Sequence, residues 1–230
     1  MIPARFVLFP QPLPYAAAAA LQDRLVARRI ADDIPDTLLL LQHPPVITLG
    51  RRGRREHLLA DEERMRNAGV EVHLSSRGGD VTFHGPGQWV LYPILKLGPR
   101  EMGTHGYLHA LEDIALGTAS AFGIDAFRKE GKAGAWCARG KFAATGFKFT
   151  RWVTQHGLSL NVCPDLRFFD LIVGCGLVGE RVSSFAEVLG DRCPSMEAVS
   201  TELQRQSARV LDRAFTVWPP ERLDEGPRRA

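Results

Sequence analysis

A chain of 230 residues, 45% hydrophobic and 24% charged, carries enough apolar side chain to bury a sizeable core. No apolar run approaches the ~20 residues of a membrane span, and the proline-broken start MIPARFVLFPQPLPY lacks the long apolar stretch of a secretory signal, so a cytoplasmic protein without a membrane partner is expected. The net charge of +3 is uneven, gathered in GRRGRREH (Gly50 to His57) and in the final GPRRA. With no interleaved aromatics and no helix-turn-helix pattern, this bias argues against nucleic acid. It suits a solvated loop, or a face that attracts an acidic protein over a Debye length of ~8 Å.

In chain order, RFVLFP predicts a strand and YAAAAALQDRLVARRI a helix, because alanine and leucine are strong helix formers. DTLLLLQHPPVITLGRR predicts two short strands, separated at Pro44 and Pro45 and covered on both faces. A short helical piece follows near DEERMRNAG. VEVHL, the stretch SSRGGDVTFHGPGQ and QWVLYPILKL then read as neighbouring strands of one sheet. In THGYLHALEDIALGTASAFG, Leu108, Leu111, Ala115, Ala119 and Phe122 recur at helical spacing, with Thr104 as cap and Gly123 as stop. GAWCARGKFAATGFKFTRWVTQHGLSLNV has strand composition around a turn at Arg139-Gly140. The last helix, about residues 195–215, carries Met196, Val199, Leu203, Val210 and Leu211 as its apolar stripe. Strands and helices without regular alternation predict an α+β fold with a mixed, largely antiparallel sheet flanked by helices. No repeat or linker divides residues 1–230, so a single domain is expected.

Four cysteines stand at 137, 163, 175 and 193, none in a C-x-x-C pair, so no metal site is expected. Cys175 differs from the others: it lies between Gly174 and Gly176 at the end of an apolar run. Small neighbours leave a thiol accessible, and the N–H groups of a tight turn can face a developing oxyanion. An unperturbed thiol is only a few per cent thiolate at neutral pH. Lys141 opens a strand ahead of an apolar segment and could supply the ammonium that such a thiolate needs. In the opening stretch, Arg77 can meet a carbonyl or carboxylate, Gly78 and Gly79 permit close approach, and Thr82 and His84 can hydrogen-bond. His84 and His156 serve equally well as structural histidines.

RGGDVTFHGPGQWVLYPIL resembles the R-G-G-x-x-T-(F/Y)-H-x-P-G-Q segment of the lipoyl(octanoyl) transferases. GKFAATG, HGLSLNV and CGL follow in that family's order and at its approximate spacing, so the likeness covers about residues 37–189. The resemblance implies the α+β fold of the biotin and lipoate protein ligases. It also implies a single catalytic domain over 1–230 and transfer of an octanoyl group from acyl carrier protein, with no cofactor. The acceptor it implies is the lysine of a lipoyl domain, in a 2-oxoacid dehydrogenase complex or the glycine cleavage H protein. On the same basis Cys175 is the thioester-forming nucleophile and Lys141 the active-site lysine. Arg77, Gly78, Gly79, Asp80, Val81, Thr82, Phe83 and His84 are then acyl-binding, as are Ala144, Thr145 and Gly146, and Gly157, Leu158 and Ser159. Where the family often has proline before the cysteine, this chain has Gly174. The acceptor amine must lose a proton, for which Lys141 is the first candidate and His84 the second. The alternative on the same fold is an ATP-dependent lipoate or biotin ligase, which needs no cysteine nucleophile.

Overall fold

The computed structural model describes residues 1–98, 102–174 and 179–223; Cys175, together with 176–178, lies outside the described residues. Eleven strands form two sheets among them. The large sheet contains β1 (Ile2–Leu8), β2 (Asp36–Leu41), β6 (Gln88–Ile94), β7 (Ala126–Lys129), β8 (Lys132–Cys137), β9 (Gly140–Thr150), β10 (Val153–Asn161) and β11 (Arg213–Val217). Its order is β11-β1-β2-β6-β10-β9-β8-β7, with β1 parallel to both β11 and β2 and every other neighbour antiparallel. The small sheet holds β3 (Val46–Leu49), β4 (Glu71–Leu74) and β5 (Val81–His84), in the order β4-β3-β5.

Strand alternation divides the core. Leu38, Leu40, Trp89 and Leu91 point to one face of the large sheet, against helices α3 (Thr104–Ala121) and α5 (Met196–Leu211). Leu39, Leu41, Val90 and Tyr92 point to the other, where α1 (Tyr15–Ile30) supplies Ala18, Leu21, Leu25 and Val26. A third cluster, including Ile47, Val81 and Phe83, fills the small sheet against Leu171 and Ile172. No helix among the described residues is long and apolar enough to cross a membrane.

Three expectations change. VEVHL, VTFH and QWVLYPI do not share one sheet: β4 and β5 join β3, whereas β6 joins the large sheet. Pro44 and Pro45 lack N–H groups and cannot continue a ladder, so the chain leaves β2 there and starts the second sheet. Gly87, at φ +84°, turns it back between β5 and β6. Thr104 is the first helical residue of α3, not its cap; Gly103 occupies the cap position without a side-chain bond. The edge strand β11 was not anticipated. Its Arg213 is buried and donates from Nε to Asp36 at 2.7 Å, which ties β11 to β2.

Candidate active site

A cavity of about 530 Å³ opens between the α1 face of the large sheet and the loop that leads into β5. Its floor comes from two neighbouring strands. The antiparallel register of β9 and β10 sets Gly146 opposite Gly157 and Ala144 opposite Ser159, so four small residues from distant segments form one tile. Thr145 and Leu158 also line the cavity. Alternation along β5 turns Thr82 and His84 toward it, and Val81 and Phe83 into the third core cluster, where Phe83 stacks on Phe168 at 4.8 Å.

The loop before β5 is held by the protein itself. Arg77, only 8% exposed, donates from Nε to Thr48 Oγ1 at 3.1 Å, from Nη2 to the Thr48 carbonyl at 2.6 Å and from Nη1 to the Gly78 carbonyl at 3.0 Å. The Gly78 N–H donates to Phe147 at 2.9 Å. A Cβ on Gly146 would lie 2.9 Å from the Gly78 oxygen, so glycine there lets this loop rest on β9. Arg77 and Gly79 line the cavity, but much of the glycine content accommodates protein backbone.

Lys141 is 8% exposed and lines both this cavity and a smaller one of about 30 Å³ that continues from it. Its Nζ stands 5.7 Å from the Trp136 ring centroid. Gly134 on β8 makes the space: at φ +113°, its hypothetical Cβ would fall 2.6 Å from Lys141 Cε. Sequence reasoning overlooked Gly134, for which the only signal was a glycine within a strand. The smaller cavity is also lined by Gly174, the residue that precedes Cys175 in the chain, and by Glu180, which binds both Lys129 and Lys132.

The far end of the large cavity is aromatic. His84 donates from Nδ1 to Gln88 Oε1 at 2.7 Å; Gln88 donates to Asn161 Oδ1 at 2.8 Å; Asn161 donates to the Ser183 carbonyl at 2.9 Å. This chain fixes one tautomer, and burial, reinforced by His43, pushes the His84 pKa down to about 3. Burial likewise takes His156 to about 3 and His43 to about 4, so all three imidazoles are neutral at pH 7. An imidazole of such low basicity is a poor acceptor for an amine proton, which removes His84 as the second candidate base. Tyr15, Tyr92 and Val90 complete this uncharged wall.

At the mouth, His57 donates from Nδ1 to Asp80 Oδ2 at 2.5 Å, and both residues line the cavity with Arg52 and Arg54. Sequence reasoning placed His57 in the basic stretch without assigning it a role. Only the fold brings it to Asp80, 23 residues away. The side chains of Arg51, Arg52, Arg54 and Arg55 are exposed, and among the described residues no carboxylate pairs with them.

The architecture is that of the lipoate-protein ligases. The crystal structure of lipoate-protein ligase A bound with ATP matches with a TM-score of 0.77, over 97% of this chain and 95% of that one, at 15% identity, a likeness of fold. The lipoyl protein ligase A/B catalytic domain family matches residues 14–208, and the chain belongs to that family. It is 47% identical to the octanoyltransferase of Syntrophotalea carbinolica over 178 residues, 77% of this chain and 81% of that one. To the octanoyltransferase of Syntrophobacter fumaroxidans it is 41% identical over 226 residues, 98% and 97% of the two chains. Among these relatives the protein is an acyltransferase, as the sequence motifs implied.

Proposed function

We propose that residues 1–230 act as one cytoplasmic catalytic domain that moves an octanoyl group from octanoyl-acyl carrier protein, through a thioester on Cys175, to the acceptor lysine of a lipoyl domain. Such domains occur in 2-oxoacid dehydrogenase complexes and the glycine cleavage H protein. The observation that carries the reading is the buried Lys141 at the junction of the two cavities, the smaller of which is lined by Gly174, the neighbour of Cys175.

In the first half-reaction the Cys175 thiolate attacks the carrier thioester, an oxyanion forms and collapses, and the carrier thiol leaves. Lowering a thiol pKa of ~8.5 by two units makes it mostly thiolate and requires ~2.7 kcal/mol of differential stabilisation, which one ammonium in contact can provide. Lys141 fills that role. Exchange between two thioesters is nearly balanced in energy, so the step needs no ATP. The tile of Ala144, Gly146, Gly157 and Ser159, with the neutral His84 and His156 beside it, suits an eight-carbon chain. Each buried methylene adds ~0.8 kcal/mol, which favours octanoyl over shorter chains.

In the second half-reaction the acceptor amine attacks. With a pKa of ~10.4 it is neutral about once in 2,500 at pH 7, a deficit of roughly 4.6 kcal/mol. Once acylation removes the thiolate, Lys141 loses the negative partner that held it protonated; it gives its proton to solvent and, as the neutral amine, can then take one from the acceptor.

The test is acyl transfer from octanoyl-carrier to an isolated lipoyl domain without ATP. Activity abolished by Cys175→Ser is the expected result. Modification of the lipoyl domain only with free octanoate and ATP would favour the ligase alternative instead.

A further inference from the structure

The second half-reaction releases two protons for each amide formed: the ammonium loses one before attack, and the same nitrogen loses another after it. The sulfur leaves as thiolate. Lys141 can take one proton and ends as the ammonium beside that thiolate, ready for the next cycle. The other proton needs a second acceptor, within the cavity and in touch with solvent.

We propose that His57, oriented by Asp80, is this second proton acceptor for the acceptor-lysine amine; the inference rests on the thioester reading above. The Asp80 carboxylate accepts the His57 Nδ1–H at 2.5 Å, which leaves the Nε2 lone pair to take a proton, and both residues line the cavity. A carboxylate in this position fixes the tautomer and stabilises the imidazolium once the proton arrives. The His57 side chain is 22% exposed, so it can pass that proton to water, whereas His84 is buried.

Backbone bonds tie the segment that carries His57 to the residues that precede Cys175 in the chain. Leu58 and Ile172 form an antiparallel bridge, the Leu59 N–H donates to the Leu171 carbonyl at 2.8 Å, and the Val173 N–H donates to the His57 carbonyl at 2.8 Å. Val173 precedes Cys175 by two residues. The carboxylate is braced as well: the Arg54 N–H donates to Asp80 Oδ1 at 3.2 Å, and the Gly50 N–H to the Asp80 carbonyl at 3.0 Å. The other charged groups that line the cavity with His57 are Arg52, Arg54, Lys132, Lys141 and Arg77.

The experiment separates the two half-reactions. Wild-type, His57→Gln, His57→Ala and Asp80→Asn proteins are loaded with octanoyl-carrier, the adduct is quantified by mass spectrometry, and the purified acyl-enzyme is mixed with lipoyl domain in a single turnover. The expected result is normal loading in the wild type and both His57 variants, with transfer slowed about 100-fold or more in His57→Gln. Asp80→Asn should slow transfer by a smaller factor, and added imidazole should restore transfer in His57→Ala. Transfer by His57→Gln within twofold of wild type, an equal loss of loading and transfer, or no imidazole rescue would overturn the assignment of His57 alone. Failure of the wild-type protein to acquire any octanoyl group would overturn the thioester reading, and the inference with it.

Discussion

Lys141 and Val182 form a parallel β-bridge: the Lys141 N–H donates to the Arg181 carbonyl at 2.9 Å, and the Ser183 N–H donates to the Lys141 carbonyl at 2.9 Å. The strand that carries the lysine is therefore laced to residues 181–183, which follow Cys175 in the chain. These are backbone contacts, and a change of side chain leaves them intact. Lys141→Ala should fold normally yet form the octanoyl-enzyme about 25-fold more slowly at pH 7, the loss of thiolate expected when a thiol pKa returns by about two units to ~8.5. The pH dependence of iodoacetamide alkylation at Cys175 would measure this directly, its midpoint rising in the variant.

Gly134 should prove as sensitive as the lysine it accommodates. An alanine there would sit at φ +113° with its Cβ 2.3 Å from the Ala143 carbonyl oxygen and 2.6 Å from Lys141 Cε. The strain and overpacking should cost about 2–5 kcal/mol. Urea denaturation of Gly134→Ala should show a lower midpoint, accompanied by slower acyl loading as the lysine is displaced.

Arg51 and Arg55 are exposed beside the cavity mouth without carboxylate partners among the described residues. If this face meets the acidic carrier, Arg51→Glu with Arg55→Glu should raise the carrier KM roughly tenfold at low salt, and the gap should narrow as ionic strength increases. Transfer from preformed acyl-enzyme should not change. Steady-state kinetics over a salt series would decide this.

Stability should fall with acidification. His43, His84 and His156 stay neutral in the folded protein down to about pH 4, 3 and 3, whereas in the unfolded chain each takes a proton near its ordinary pKa of 6.5. The unfolded state therefore binds more protons between these limits. The stability is fully present above about pH 7 and is lost as pH falls, at up to about 4 kcal/mol per pH unit for three groups. Denaturant midpoints at pH 7, 6 and 5 would show the slope. His156→Asn, which tolerates the φ of +59° at that position, should reduce it by about a third.

The helices and most strands were readable because their signals are local. Tyr15–Ile30 spans the segment that alanine and leucine propensity marks, and Lys141 lies at a buried strand start beside a glycine turn. The tile of Ala144, Gly146, Gly157 and Ser159 was only half readable. The motifs marked both segments, but their cross-strand register depends on a hairpin whose turn residues, Arg151 and Trp152, adopt positive φ without a glycine to announce it. The sheet assignment of β4 and β5 failed because apolar alternation identifies a strand and not its partner. The pairing of His57 with Asp80 left no trace in the chain, since it arises where two loops from different parts of the small sheet converge. Arg77 gave the opposite lesson: a residue that suits ligand binding by type spends much of its guanidinium on Thr48 and Gly78.

The most direct test of the central claim is intact-protein mass spectrometry after brief mixing with octanoyl-acyl carrier protein in the absence of ATP, followed by peptide mapping. The predicted result is a mass increase of one octanoyl group, labile to hydroxylamine, on the peptide that contains Cys175, absent in Cys175→Ser and slow to appear in Lys141→Ala. An adduct of undiminished yield in the Cys175→Ser protein would contradict it.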